Sequence, residues 1–319
     1  MTVTKKMAGF ALARTAGLMQ ALAGCGSVVV SVADSLSNSK RGRRGDDDSA
    51  SAATIGAGER SLFRIAHAFV WLLLLAPPLL LAIDPQQWPL YLTLGIVFNL
   101  LFSYSAVRSN CTWFGPVVTR FQTGKKEVWL TIDDGPHPQD TPRLLALLKR
   151  HGARATFFVI GRHVEQYPEL ALAMVRDGHQ LANHSATHPV ASFWCLPTSR
   201  LAREVDGCAQ TLRKTTAEAS RRFRAPAGMA NLFLHFLLRE RGMKLIGWSA
   251  RGYDGLRHNV EPMVTGILES VEPGAIILLH EGKLDGHGNS VSLLVIEALL
   301  KRLTLAGYSF TVPSDDRLL

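Results

Sequence analysis

From residue 128 onward, short runs of β-branched and aromatic residues alternate with longer amphipathic ones. This alternation restricts the chain to parallel strands joined by crossover helices. Strand-like runs cover 128–132, 155–160, 180–182, 222–224, 244–248, 275–279 and 308–312. Helical patterns fill 141–150, 164–176, 199–216, 231–241, 260–270 and 290–305. Seven such runs predict an α/β fold, an incomplete and distorted (β/α)7 barrel. In barrels of this kind the side chains that do chemistry sit at the carboxyl ends of the strands.

The preceding third of the chain reads differently. Residues 65–83 and 89–107 hold no Asp, Glu, Lys or Arg. At about 1.5 Å per residue, each run is long enough to cross a hydrocarbon core. Pro77-Pro78 kinks the first run, which membrane helices tolerate, and Trp88, Tyr91 and Tyr104 stand near the ends of the second as interfacial anchors. The alternative is a buried helical hairpin; the expectation is a two-helix membrane hairpin before the barrel. Lys plus Arg is 35 against 26 Asp plus Glu, a net charge of +9. Much of that excess lies in 40–64 and 108–126, beside the apolar runs, which favours an anionic membrane surface as partner. No basic-aromatic RNA-binding pattern and no helix-turn-helix accompanies it, so nucleic acid is not expected as a partner. The 84–88 connection has no Lys or Arg, whereas both outer flanks do, so the positive-inside rule places everything after residue 108 in the cytoplasm of a bacterial-type inner membrane.

Residues 1–59 are expected to be a disordered or weakly ordered extension. Leu22-Ala23-Gly24-Cys25 has the form of a lipoprotein cleavage box, but Arg14 and Gln20 interrupt the apolar stretch before it. The domains then read as 1–59, 60–107 and 125–319. Cys25, Cys111, Cys195 and Cys208 show no Cys-x-x-Cys spacing and suggest neither a disulfide framework nor a zinc knuckle.

The first strand ends abruptly in Asp133-Asp134-Gly135-Pro136. Alone, this is a strand followed by a turn. Asn183-His184-Ser185-Ala186-Thr187-His188-Pro189 follows the third strand. If that segment takes one helical turn, His184 and His188 share a face. Two imidazoles and a carboxylate make a three-ligand site with room for water. A His-x-x-x-His pair alone is weak; with Asp133-Asp134 at an earlier strand end it becomes a metal candidate. Arg224, Asp254 and His280 stand at later strand ends, where each alone has a bland alternative.

In order along the chain, Thr131-Ile132-Asp133-Asp134-Gly135-Pro136, Ala155-Thr156-Phe157-Phe158-Val159-Ile160-Gly161, His184-Ser185-Ala186-Thr187-His188, Arg224-Ala225-Pro226-Ala227-Gly228 and Leu278-Leu279-His280 resemble the motifs of the polysaccharide deacetylases, or nodulation-protein-B homology domains, carbohydrate esterase family four. The resemblance covers about 125–315. It implies metal-dependent hydrolysis of the N-acetyl group of an amino sugar, in a glycan or on a lipid carrier. Asp134, His184 and His188 match the metal ligands, with one divalent ion implied, Zn2+ before Co2+, Mn2+ or Ni2+. Asp133 matches the base, Arg224 the arginine that orients it, and His280 the general acid. Leu278 and Pro226 match substrate-lining positions. One motif departs from the family's Asp-x-x-Asp-Trp: Asp254 survives, as a candidate to orient His280, while Arg251 and Gly255 replace the first Asp and the Trp. Two other readings stand beside the de-N-acetylase: a membrane-anchored glycan-binding protein on an inactive fold, and a deformylase acting on a lipid-linked sugar. His137, His163, His179, His258 and His287 are taken as non-ligands.

Overall fold

The computed structural model describes Leu80 and residues 84–254, 259–282 and 290–318. The expected 1–59 extension, and the 65–83 span apart from Leu80, lie outside these residues. The second expected span is present as α1 (Trp88–Val107). It has almost no amphipathic contrast: only Ser105 and Ala106 are buried, while Trp88, Leu92, Ile96, Leu100 and Val107 are exposed. With the short helical turn before it, the segment Pro85–Val107 is long and apolar enough to cross a membrane by length and composition. Among the described residues this is one such helix, where the sequence led us to expect two.

After α1 come β1 (Glu127–Gly135), α2 (Asp140–Arg150), β2 (Ala155–Val159), α3 (Gly161–Gln166), α4 (Pro168–Arg176) and β3 (Gln180–Asn183). There follow α5 (Thr198–Thr216), β4 (Arg222–Phe223), α6 (Leu234–Glu240), β5 (Lys244–Leu245), β6 (Ala250–Arg251), α7 (Val260–Ser270), β7 (Ala275–His280), α8 (Val291–Leu305) and β8 (Ser309–Phe310). The sheet order is β5-β4-β3-β2-β1-β7-β6, and β8 pairs with the start of β1. Every strand pair is parallel. The result is a curled parallel sheet, a half-barrel clad in helices, in which β1 lies between β2 and β7.

Alternation along each strand sorts the side chains. Val128, Leu130 and Ile132 of β1, with Ala275, Ile277 and Leu279 of β7, face outward into the larger core under α2, α7 and α8. Trp129, Phe158, Ile276 and Leu278 face inward, with Val118 and Phe121 from the segment before β1. That segment is part of the fold: Val118 bridges to Ile246, Arg120 to Ala275 and Phe121 to Leu318. It fills the interior between the two edges of the open sheet. Each fully buried Leu, Ile or Phe contributes about 1.5–3 kcal/mol.

Three local expectations differ from the structure. The helical pattern 164–176 is two helices, because Pro168 has no N–H to donate and starts a new one. The 244–248 run keeps only two ladder residues, and a further short strand, β6, pairs with β7 through Ala250 and Arg251. The segment His184 to His188 is not a helical turn: Ser185 and His188 have φ of 70° and 55°. Pro189 follows His188 and disfavours the right-handed helical region there.

Candidate metal centre and active site

Inward alternation on β1 carries Trp129, Thr131 and Asp133 to the interior. The ladder to β2 is irregular between Asp133 and Gly135, and Asp134 has φ of 74°. This bulge sends the two neighbouring carboxylates in different directions. Asp134 Oδ1 lies 3.6 Å from His184 Nε2 and 3.4 Å from His188 Nε2. The three ligand atoms all lie within 4.8 Å of one another.

His184 follows β3 directly, and its Nδ1 is 2.9 Å from the Arg224 carbonyl oxygen. A carbonyl only accepts, so Nδ1 carries the proton and Nε2 turns its lone pair to the cluster. Ser185 Oγ accepts from the His188 backbone N–H at 3.0 Å, and Asn183 Oδ1 accepts from Ser185 N–H, which fixes the loop between the imidazoles. One carboxylate oxygen and two imidazole nitrogens on rigid strand ends are a donor set suited to a divalent ion of the zinc type. The residues present fit that group.

Asp133 is buried and serves a different neighbour. Its Oδ1 accepts from Arg224 Nη1 at 2.7 Å, and its Oδ2 stands 3.7 Å from His184 Nε2. Arg224 is fully buried yet fully engaged. It donates to Thr131 Oγ1, the Ile246 carbonyl and the Gly247 carbonyl, and stacks on Phe158. A buried charge is tolerable only with this kind of saturation.

His280 ends β7 and is the register partner of Asp133 on β1. Its Nδ1 donates to Asp254 Oδ1 at 2.9 Å, and its backbone N–H donates to Asp254 Oδ2 at 2.7 Å. Ser292 Oγ donates to the same Oδ2. Burial alone would lower the His280 pKa, but the hydrogen bond and charge of Asp254, with Asp133 and Asp134 beyond, raise it above the ordinary histidine value. With Nδ1 engaged by Asp254, Nε2 is the ring nitrogen left to titrate.

Leu278, two residues before His280 on the same face of β7, is buried in the interior apolar cluster. Pro226 is buried in the turn after β4. Gly228 in that turn has φ of 67°, and a Cβ there would stand 2.4 Å from the Trp248 ring, so only glycine lets the indole close on it. Arg251 lies at the same rim, its guanidinium 3.8 Å from the Tyr253 ring centre and 5.6 Å from that of Trp248. Gly255, His258 and His287 lie outside the described residues.

Two contributors had no sequence signal. His163, expected only as a non-ligand, donates from Nδ1 to the Asp134 carbonyl at 2.9 Å, a contact 29 residues apart in the chain. Glu281 is entirely buried beneath Gly135, where its Oε1 occupies the space a Cβ would need. Thr141 Oγ1 donates to its Oε2 at 2.6 Å. Burial, with the negative charge of Asp140 nearby, pushes the Glu281 carboxyl up to about 8.

Polar groups converge on one end of a parallel half-barrel, around a two-histidine, one-carboxylate cluster that could hold a metal ion. The family model for polysaccharide deacetylase matches residues 120–246. The chain is 36% identical over 213 residues to a chitooligosaccharide deacetylase of Bradyrhizobium sp. (strain ANU 289), covering 66% of this chain and 91% of the relative. It is 30% identical over 203 residues to a peptidoglycan-N-acetylglucosamine deacetylase of Bacillus cereus, covering 63% and 92%. The structure of the peptidoglycan deacetylase PdaC from Bacillus subtilis superposes with a TM-score of 0.53 at 27% identity, covering 59% of this chain and 87% of that one. The chain belongs to the polysaccharide deacetylase family and is a hydrolase of the amide C–N bond.

Proposed function

We propose that the chain removes the acetyl group from an N-acetylated amino sugar in a glycan of the chitooligosaccharide or peptidoglycan type. The observation that carries this reading is the register pairing of Asp133 with His280 beside the Asp134–His184–His188 cluster. Base and acid stand on adjacent strands, about 4.8 Å apart, each held by its own partner.

Asp134 Oδ1, His184 Nε2 and His188 Nε2 would hold one divalent ion, Zn2+ first and Co2+, Mn2+ or Ni2+ as alternatives. When bound, such an ion supplies Lewis-acid polarisation of the acetyl carbonyl and lowers the pKa of water. Asp133 Oδ2 takes the proton from the attacking water, while Arg224 holds Asp133 in place through its hydrogen bond to Oδ1. The water oxygen bonds to the acetyl carbon. His280 Nε2 then gives its proton to the sugar nitrogen, the C–N bond breaks, and acetate and a free amine leave. Leu278 and Pro226 border the space for the acetyl methyl. Arg224 and Asp254 act as positioning residues, through Asp133 and His280.

We place the site at a membrane surface, with α1 as anchor in a bacterial-type inner membrane, the 65–83 run as the other arm of a hairpin, and the catalytic domain, 125–319, in the cytoplasm. The exposed apolar surface of α1 supports this, as does the docking of its C-terminal end. Ala230 N–H donates to the Ala106 carbonyl at 2.9 Å, and Asn110 Nδ2 donates to the Trp248 carbonyl at 2.8 Å. Both contacts reach loops that border the site, which suits a substrate carried on a lipid.

Acetate release by the metal-loaded protein tests the reading. Asp133→Asn should lower kcat by about a thousandfold or more while retaining bound metal, and His184→Ala should lose the metal itself. A near-normal rate for Asp133→Asn would remove the base assignment. Bound zinc with no acetate from any N-acetylated glycan would instead favour a binding protein, and formate from an N-formyl substrate a deformylase.

A further inference from the structure

We propose that Arg251 and Tyr253 form an anion-recognising wall of the catalytic mouth, which selects N-acetylated sugars bearing a phosphate or carboxylate close to the scissile amide. The inference rests on the deacetylase reading and adds a substrate class to it.

Alternation on β6 sets the direction of Arg251. Ala250 packs outward in the core under the helices, so Arg251 turns inward. Its register partner is Leu278, which lines the barrel interior two residues before His280. Three residues further on, Asp254 holds His280. Arg251 therefore stands between Leu278 and the element that aims the acid.

What holds the guanidinium is aromatic. Tyr253 lies 3.8 Å away and Trp248 5.6 Å, and Trp248 also lies 5.7 Å from the Arg224 guanidinium that grips Asp133. One indole separates Arg251 from the arginine at the base. The other buried or half-buried arginines, Arg120, Arg222, Arg224, Arg241 and Arg317, each pair with a carboxylate. Among the described residues Arg251 makes no such pair and is only half-buried. Stacking restrains a guanidinium while its in-plane N–H donors stay available for a two-oxygen acceptor. Phosphate and carboxylate are the acceptors that match that fork.

The backbone supports a functional role for Tyr253. It is exposed, with φ of 59°. Of the other six non-glycine residues with positive φ, Asp134 in the β1 bulge and Ser185, His188 and Ala227 just past β3 and β4 stand around the site, while Asn110 precedes β1 and Ala217 caps α5. Such conformations cost on the order of 1–3 kcal/mol and persist where the surroundings enforce them, often at sites that bind or react.

The test uses the full chain in detergent, loaded with zinc, and three substrates: a neutral N-acetylglucosamine oligomer, the same oligomer with a reducing-end phosphate, and the same oligomer with a carboxylate-bearing end sugar. Acetate release gives kcat/KM for each. Wild type should favour at least one anionic substrate about tenfold or more over the neutral one, mainly through KM, and 0.5 M salt should erase much of the preference. The better anionic arm identifies the group. Arg251→Ala should bring the anionic-to-neutral ratio down to about one, and Arg251→Lys should restore part of it, since charge returns without the fork. Equal kcat/KM on all three substrates in wild type would overturn the proposal, as would an Arg251→Ala loss of the same size on each. Should Arg251→Ala fail to fold, the wild-type ratio and its salt dependence decide the matter. No acetate from any substrate would overturn the deacetylase reading and this inference with it; acetate at equal rates would overturn this inference alone.

Discussion

At His280, two opposing effects set the proton affinity, and their balance is testable. Burial disfavours imidazolium, but Asp254 accepts from Nδ1 at 2.9 Å and places its charge against the ring, and the net direction is upward. An acid catalyst must be protonated to act, so a raised pKa extends activity to higher pH, and activity falls as pH rises through that pKa. Asp254→Asn keeps an oxygen acceptor for Nδ1 and removes the charge. The alkaline limb of kcat should move to lower pH, so that the deficit relative to wild type grows as pH rises through the limb. An alkaline limb that stayed in place would show that Asp254 does no more than hold the ring. At this scale the sequence was legible where chemistry is compact. Asp133-Asp134, His184, His188, Arg224, Asp254 and His280 are all brought together, because strand ends in a parallel barrel share one rim. It was silent on His163 and on the loop between the imidazoles, since positive φ at Ser185 and His188 comes from long-range packing and Pro189 rather than from local propensity.

Among the elements, the junction of β1, α2 and β7 is held at its carboxyl end by acids, in addition to the apolar core beneath. Glu281 N–H donates to the Asp133 carbonyl, Thr141 donates to the Glu281 carboxyl, and Gly282 N–H and Ser290 both donate to Asp140 Oδ2. The Glu281 pKa rises from 4.5 to about 8, so the folded state binds its proton more tightly than the unfolded chain does. Between those values stability falls as pH rises, by up to about 1.4 kcal/mol per pH unit from this one group. Glu281→Gln imitates the protonated acid and removes the titration. Thermal unfolding of the variant should depend less on pH between about 5 and 8 than that of wild type, with the gap in Tm moving in the variant's favour as pH rises. Parallel pH profiles for the two proteins would rule out Glu281 as the titrating group. The sequence announced the long elements on both sides of this junction: 260–270 coincides with α7, and α2 and α8 begin within one residue of expectation. It could not announce β6, whose two residues gain strand geometry only by lying against β7.

At the scale of the whole chain, α1 presents an apolar surface to the outside and is nonetheless tied to the domain at one end. Tyr104, Trp113 and Arg108 gather there, the tyrosine 6.2 Å from the Trp113 ring and bonded to Arg108, a grouping suited to a membrane interface. The tie is specific: Ser105 and Ala106 are buried, and the Ala106 carbonyl satisfies Ala230 N–H beside the site. Where the chain is cut should therefore matter more than whether it is cut. Removing residues 1–103 should free the protein from sedimenting membranes and leave kcat on a soluble oligomer within about threefold. Removing residues 1–107 also takes away the acceptor of Ala230 N–H, a loss of about 1 kcal/mol. A cut after residue 118 removes Val118 and the Asn110 bond to Trp248 as well. Val118 alone is worth about 1.5–3 kcal/mol, so this protein should unfold at clearly lower denaturant. Membrane sedimentation, urea unfolding and acetate release on the three truncations separate anchoring from folding. If the 104–319 protein still sedimented with membranes, another part of the domain would have to hold the lipid. If all three were equally stable, the segment between α1 and β1 would be a tether, and its place in the barrel interior would contribute nothing to the fold.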